Sequence, residues 1–323
     1  MWTETAPGSG RWTGPQQLGG GPLVPHLAVS LTKDGRWQLF GERIAGLGPD
    51  PDGNRREIVA LEQTRPGGPF GTWTSLGNPE RDPVRGRHVG APVVARNADG
   101  TAQVFVRDWA KGVSTRRQLP GGAWTDWKGL PAERGLEVQE GLAAVTAADG
   151  RVHLVGAGHD TVHHWVQDRP GGELAPARGL ALPAPADPPA LLAQPDGSLL
   201  LLYREPRTSR PLAHRLGTDG GWEAQDLDIA GRGHGLMAVA TDPAGSGSAL
   251  LVTRNDNGGL STTSVGPGAD PRWSDVAGVP RGPVVGTPSV TTDARGRLVV
   301  ATLTAEGTLW TSTRGAGEAS HPG

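Results

Sequence analysis

A short glycine–tryptophan segment recurs along this chain and restricts its fold more than any other feature. GRWTGPQQLGG occupies 10–20, GTWTSLG begins at Gly71, GAWTDWKGLP at Gly122, GGWEAQDLDIAG at Gly220 and PRWSDVAGVP at Pro271. A copy without tryptophan, GGELAPARGLALP, begins at Gly171. Self-similarity at a near-constant period marks a repeat architecture, each copy being one supersecondary unit. Each copy offers a turn, a large apolar ring to bury, a few strand residues and a Gly/Pro exit.

A second marker gives the strand count per repeat. Asp-Gly pairs stand between apolar runs at Asp34-Gly35, Asp99-Gly100, Asp149-Gly150 and Asp196-Gly197, with degenerate forms around Gly247 and Gly296. The last three pairs are spaced by 50 and 47 residues. Asp-Gly between strands predicts a hairpin, because both residues tolerate positive φ. A leading strand (HLAVSL, APVVAR, GLAAVT, PALLAQ, GLMAVA, TPSVTT) precedes each turn and a second strand (RWQLF, AQVFV, VHLVG, LLLLY, ALLVT, LVVAT) follows it. A third strand comes next, and the glycine–tryptophan segment is the fourth. Four antiparallel strands in such a length make one propeller blade.

The expected fold is therefore an all-β, six-bladed propeller forming a single domain over 1–323. Its blades fall at about 22–77, 88–131, 138–183, 186–231, 233–280 and 284–314. The chain starts on a fourth strand at Trp12 and ends on a third strand near Trp310, so residues 10–20 are expected to complete the last blade. That closure removes free sheet edges. Seven blades is the alternative if the polar insertion at 45–56 belongs to a partial extra unit. Trp12, Trp73, Trp124, Trp222 and Trp273 share one repeat position and are expected to pack between blades. Trp37, Trp109, Trp127, Trp165 and Trp310 fall off that register and are the candidates for stacking on a ligand.

Composition narrows the function classes. With 51 Gly and 29 Pro the chain nears the disordered range, but 11 Trp on a regular pattern indicate many tight turns in a folded protein. A formal charge of −2 gives no electrostatic case for nucleic acid or an anionic membrane. The absence of cysteine excludes thiol nucleophiles, disulfides and thiolate-held metals. No apolar run approaches membrane-spanning length. MWTETAPGSGRW has neither a basic n-region nor an apolar h-region, which predicts a cytoplasmic location, or a secreted one if a leader was removed.

The pattern of Asp-Gly turn, third strand ending in Gln, and G-x-W-(T/S) fourth strand resembles the PLL-type, tectonin-like bacterial lectin propellers. DGTAQVFVRD…RRQLPGGAWTDWKGL at 99–130 and DGRVHLVGAGHDTVHHWVQ at 149–167 carry it most clearly. The resemblance implies a propeller that binds fucose or a related glycan. Those propellers have seven nearly identical blades, whereas this chain has six diverged ones, which points to one asymmetric site instead of many equal ones.

Two candidate sites follow. The first is the mouth of the central channel, where alignment of the leading strands brings Glu140, Asp187 and His234, with His88, His26, Arg87 and Arg232 close by. Carboxylates beside imidazole equip a site for proton transfer near neutral pH. The same set is compatible with a divalent metal, although no cofactor is required. The second is the blade edge, where Arg107 with Trp109, and Tyr203 with Arg204, combine a guanidinium with an aromatic ring. Carbohydrate- or small-ligand binding and a cytosolic tailoring enzyme using Glu140, Asp187, His234 and His88 both remain open. The partner in either case is a small molecule or glycan.

Overall fold

The computed structural model describes residues 1–6, 9–45, 55–131, 136–139, 141–182, 185, 187–225, 235–241, 248–266, 273–276, 279, 284–293 and 295–314. Each repeat forms one antiparallel sheet whose strands pair in chain order. Sheet 1 comprises Leu23–Leu31, Trp37–Ala45, Arg55–Glu62 and Thr74–Gly77. Sheet 2 comprises Val93–Arg96, Ala102–Arg107, Val113–Arg117 and Lys128–Gly129, and sheet 3 Leu142–Thr146, Val152–Ala157, Thr161–Gln167 and Leu174–Ala181. Sheet 4 comprises Ala190–Ala193, Leu199–Arg204, Pro211–Leu216 and Trp222–Gln225. Sheet 5 comprises Ala238–Thr241, Ala249–Arg254, Leu260–Val265 and Ser274–Asp275, and sheet 6 Val284–Thr292, Leu298–Thr304 and Leu309–Arg314. A single helical turn, Pro83–Gly86, leads into sheet 2 and is capped by the Asp82 carboxylate.

The chain divides into two compact units. One is Leu18–Ala184, holding sheets 1 to 3; the other is Met1–Gln17 with Pro185–Gly323, holding sheets 4 to 6. Within each unit the sheets meet in sequence through their leading strands: Leu23–Leu31 on Val93–Arg96 on Leu142–Thr146, and Ala190–Ala193 on Ala238–Thr241 on Val284–Thr292. Sheet 6 has three strands, and Trp12–Thr13 pairs with Thr3–Glu4. A ladder from the N-terminal segment to Leu309–Arg314 is not among the pairings of the described residues. The N-terminal segment belongs to the same compact unit as sheets 4 to 6.

The second strands of sheets 2 to 5 are buried on both faces, which explains their nearly unbroken apolar sequences. Ala102, Val104 and Val106 turn toward sheet 1 and pack on Phe40, Ile58 and Leu76; Phe105, from the opposite face, joins Val152, Leu154 and Trp165 of sheet 3. In the other unit Leu200 and Leu202 meet Ala249 and Leu251, and Leu250 and Val252 meet Leu298 and Val300. The core is thus a series of thin layers between sheets, so a modest apolar content suffices.

The Asp-Gly turns form with a different geometry from the expected one. Only the glycine takes positive φ, at 82°, 84°, 81° and 86° for Gly35, Gly100, Gly150 and Gly197. Thr32 N–H reaches Arg36 O and Gly35 N–H reaches Thr32 O, and the same pair of bonds recurs at Asn97, Ala147 and Gln194. This is the three-residue loop with a left-handed glycine bulge. The aspartate instead uses its carboxylate to accept the N–H two residues on, as in Asp99 to Thr101 at 2.9 Å and Asp149 to Arg151 at 3.0 Å.

Candidate functional site

A broad recess lies within the Leu18–Ala184 unit, between sheets 1 and 2. It is a cleft of about 840 Å³. Its walls are the Asp34-Gly35 and Asp99-Gly100 turns, the hairpin tip Leu119–Gly122 and the third strand of sheet 1. A polar chain runs along its floor. Arg36 donates to Asp34 at 2.8 Å and pairs with Glu62; the Gln38 amide nitrogen donates to Glu62; and Arg96 donates to the Gln38 amide oxygen at 2.6 Å. Arg96 also reaches Ser30 Oγ at 2.7 Å and Gly100 O at 3.1 Å. Trp124 closes one side, its ring edge-on to Phe40 with centroids 6.0 Å apart.

Electrostatics in the cleft follow from these contacts. The Thr32 hydroxyl bond, with Arg36 beside it, holds the Asp34 carboxyl below the usual range. Burial pushes the Asp99 carboxyl up, but hydrogen bonds from Thr101 and Arg117 outweigh it and leave it lowered. Burial is also the main cause holding the Arg96 guanidinium below the ordinary arginine value.

None of these floor residues was singled out from the sequence. Arg96 carried the clearest signal. Counting back from each Asp-Gly turn, it stands where Leu31, Thr146, Ala193 and Thr292 stand in other repeats. A charged residue at that place marks the leading strand of sheet 2 as different.

Of the residues expected at the channel mouth, Glu140, His234 and Arg232 lie outside the described residues. Asp187 is half-buried, with its carboxylate 3.9 Å from Arg204 Nε in the same unit. In the other unit His88 is exposed, and Arg87 ends the helical turn. His26 lies half-buried on the leading strand of sheet 1, and burial lowers its pKa. Among the described residues no group of three or more His, Asp or Glu is placed to hold a metal ion.

At the blade edge the structure corrects the expectation. Arg204 is 1% exposed and donates to Gly235 O at 2.9 Å and Ser209 O at 2.8 Å. Arg107 donates in the same way to Val138 O at 2.9 Å and His88 O at 3.3 Å. Both arginines therefore staple the end of a second strand to the segment leading into the next sheet. Tyr203 is equally buried, its hydroxyl 3.2 Å from His214 Nε2, and burial pushes the phenol up to about 12. Strand ends buried on both faces leave Tyr203 and Arg204 no route to a ligand. Trp109 stays 45% exposed with the Arg85 guanidinium 4.7 Å above its ring.

The tryptophans divide differently from the expected way. Trp124 and Trp273, on the shared repeat position, pack against inter-sheet cores as expected. Trp165 and Trp127, off that register, are structural too, donating to Pro131 O and Leu76 O at 2.8 Å. Trp310 packs on the core between sheets 5 and 6. A pair missed entirely is His153 and His164, buried on sheet 3 with Nδ1 and Nε2 3.0 Å apart. Burial lowers both to about 4.

No protein-family model matches the sequence, and a search among curated proteins finds no match. Solved structures do resemble it. The BP39L lectin from Burkholderia pseudomallei superposes with a TM-score of 0.68 at 12% identity, covering 95% of this chain and 89% of that one. A protein of unknown function from Dyadobacter fermentans gives 0.60 at 17% identity, with 89% and 92% covered. The Hadza microbial sialidase Hz136 gives 0.62 at 15% identity, with 89% and 65% covered. At these identities the likeness is one of fold. The chain is an all-β, six-bladed propeller of the architecture that lectins such as BP39L share.

Proposed function

We propose that this protein binds a carbohydrate, and that the cleft between sheets 1 and 2 receives one pyranose. The observation that carries the reading is the Arg36–Glu62–Gln38–Arg96 chain lining an open recess beside Trp124. A sugar hydroxyl both donates and accepts, so it needs a guanidinium, a carboxylate and an amide side by side. An aromatic ring supplies the apolar surface that a pyranose C–H face requires. Ligand pockets of several hundred Å³ with a few convergent polar groups are the usual kind of small-molecule site. The lectin and sialidase names among the similar structures favour sugar chemistry as well.

The acid–base reading has less behind it. Of Glu140, Asp187, His234 and His88, the described residues include Asp187 and His88.

A glycan array followed by titration of the best binder tests the proposal. Arg36→Ala and Glu62→Ala are expected to weaken binding at least about tenfold each. The melting temperature should move by only a few degrees, because a pair about one-third exposed contributes about 1 kcal/mol or less. An array without hits, or unchanged affinity in both variants, overturns the assignment.

A further inference from the structure

The charge arrangement in the cleft narrows the class of sugar. Arg36 is neutralised directly by Asp34 and Glu62. Arg117, behind the Asp99 turn, is neutralised by Asp99 at 2.9 Å. Arg96 is not matched in this way. Its three hydrogen bonds go to a hydroxyl, a backbone carbonyl and an amide oxygen, all uncharged. The Gln38 amide is inserted between Arg96 and Glu62, turning its oxygen to the cation and its nitrogen to the carboxylate. A guanidinium carries five N–H donors, so two remain on Arg96.

A half-buried cation whose direct acceptors are all neutral loses hydration, and the Glu62 and Asp34 carboxylates offset that loss only through space. Burial being the largest influence on its pKa agrees with that. The equivalent contact one sheet further on lacks the device. There Thr146 replaces Arg96, and Arg117 of sheet 2 is tied to Asp99 and to Gly171 O. Arg96 is thus a feature of one cleft and not of the repeat.

We infer that the pyranose taken by this cleft bears a carboxylate, as a uronic acid does, and that Arg96 receives it on its two remaining N–H groups. A planar carboxylate matches the guanidinium fork, and such charge-assisted bonds are about twice as strong as neutral ones. Gln38 keeps Glu62 from occupying that place, and Arg36 and Glu62 remain for the hydroxyls. The inference rests on the cleft being a sugar site.

Matched sugars separate the two. Methyl glucuronide and methyl galacturonide are titrated beside methyl glucoside and methyl galactoside, with a sulfated galactoside as a second anion. The wild-type protein is expected to prefer an acid to its neutral counterpart at least about tenfold, with the preference shrinking as salt rises. Arg96→Gln is expected to collapse that ratio toward one, and Arg96→Lys to restore part of it. If Arg96→Gln fails to fold, the wild-type acid-to-neutral ratio and its salt dependence decide alone. A neutral sugar bound as tightly as its acid, or a sulfated sugar bound more tightly than either uronide, overturns the carboxylate and leaves the sugar site standing. No binding of any sugar by the wild type overturns both.

Discussion

His153 and His164 show how far a single residue's surroundings can depart from what its sequence neighbours suggest. His163 and His164 are adjacent on the third strand of sheet 3, so their side chains point to opposite faces. The actual partner of His164 lies across the hairpin, and only the strand register reveals it. At 6% and 5% exposure both rings are neutral in the folded protein, and burial, the largest cause for each, lowers them to about 4. The ordinary value is 6.5, so between those limits the unfolded chain binds more protons than the folded one. Stability is therefore whole above about pH 6.5 and falls as pH drops toward 4. Each unit of depression is about 1.4 kcal/mol, so the pair sets a dependence on the order of a few kcal/mol. Sheet 2 places Gln103 and Thr115 at the same positions, bonded at 3.1 Å. Replacing both histidines by that pair (His153→Gln with His164→Thr) is expected to flatten the urea midpoint between pH 5 and 7.5. A wild-type midpoint that does not move over that range would sink the assignment.

At the scale of the strand and hairpin, the sequence is most informative where it encodes backbone bonding. A third strand ending in Gln is one of the motifs that mark the repeat, and its cause is visible. Gln63, Gln118 and Gln167 each place the amide oxygen on the first N–H of the second strand, at Trp37, Ala102 and Val152, at 3.0, 3.4 and 2.9 Å. Gln167 goes further. It is fully buried, and its amide nitrogen bonds Asn97 Oδ1 at 2.8 Å and Gly172 O at 3.1 Å, tying sheet 3 to sheet 2. Truncating a buried amide leaves those partners unpaired, at a cost of about 1–3 kcal/mol. Gln167→Ala should therefore lower the denaturant midpoint most, Gln63→Ala less and Gln118→Ala least. Equal shifts in all three would show that the bonds do not carry the stability. The same strands explain a failure of reading. Arg107, Tyr203 and Arg204 combine residue types that suit a sugar, and nothing in their local sequence says that Tyr203 and Arg204 are buried at the end of their strand or that Arg107 is bonded to backbone carbonyls.

For the molecule as a whole, periodicity made the propeller legible and divergence made the site legible only in outline. Blade count and strand order follow from a strand pattern that recurs in every repeat, at a near-constant spacing after the first. A binding site is instead a departure from the repeat, and a departure is seen only once the register is fixed residue by residue. The expected asymmetry had its source in lost Trp and Asp-Gly markers; the cleft lies elsewhere, at the junction of sheets 1 and 2. Its Arg96 is replaced by Leu31, Thr146, Ala193 and Thr292 at equivalent places, and Glu62 by Arg117 in sheet 2 and Val166 in sheet 3. Those replacements remove the cation proposed for the sugar's carboxylate or the Glu62 carboxylate proposed for its hydroxyls. Binding should accordingly saturate at one sugar per chain, by calorimetry or native mass spectrometry. A propeller with one site also cannot gain the roughly hundredfold or greater avidity that linked sites provide. Affinity for a densely coated glycan surface should then stay close to that for the free sugar. A stoichiometry of three or more, or a steep gain on the coated surface, would mean that other inter-sheet positions bind despite lacking these residues.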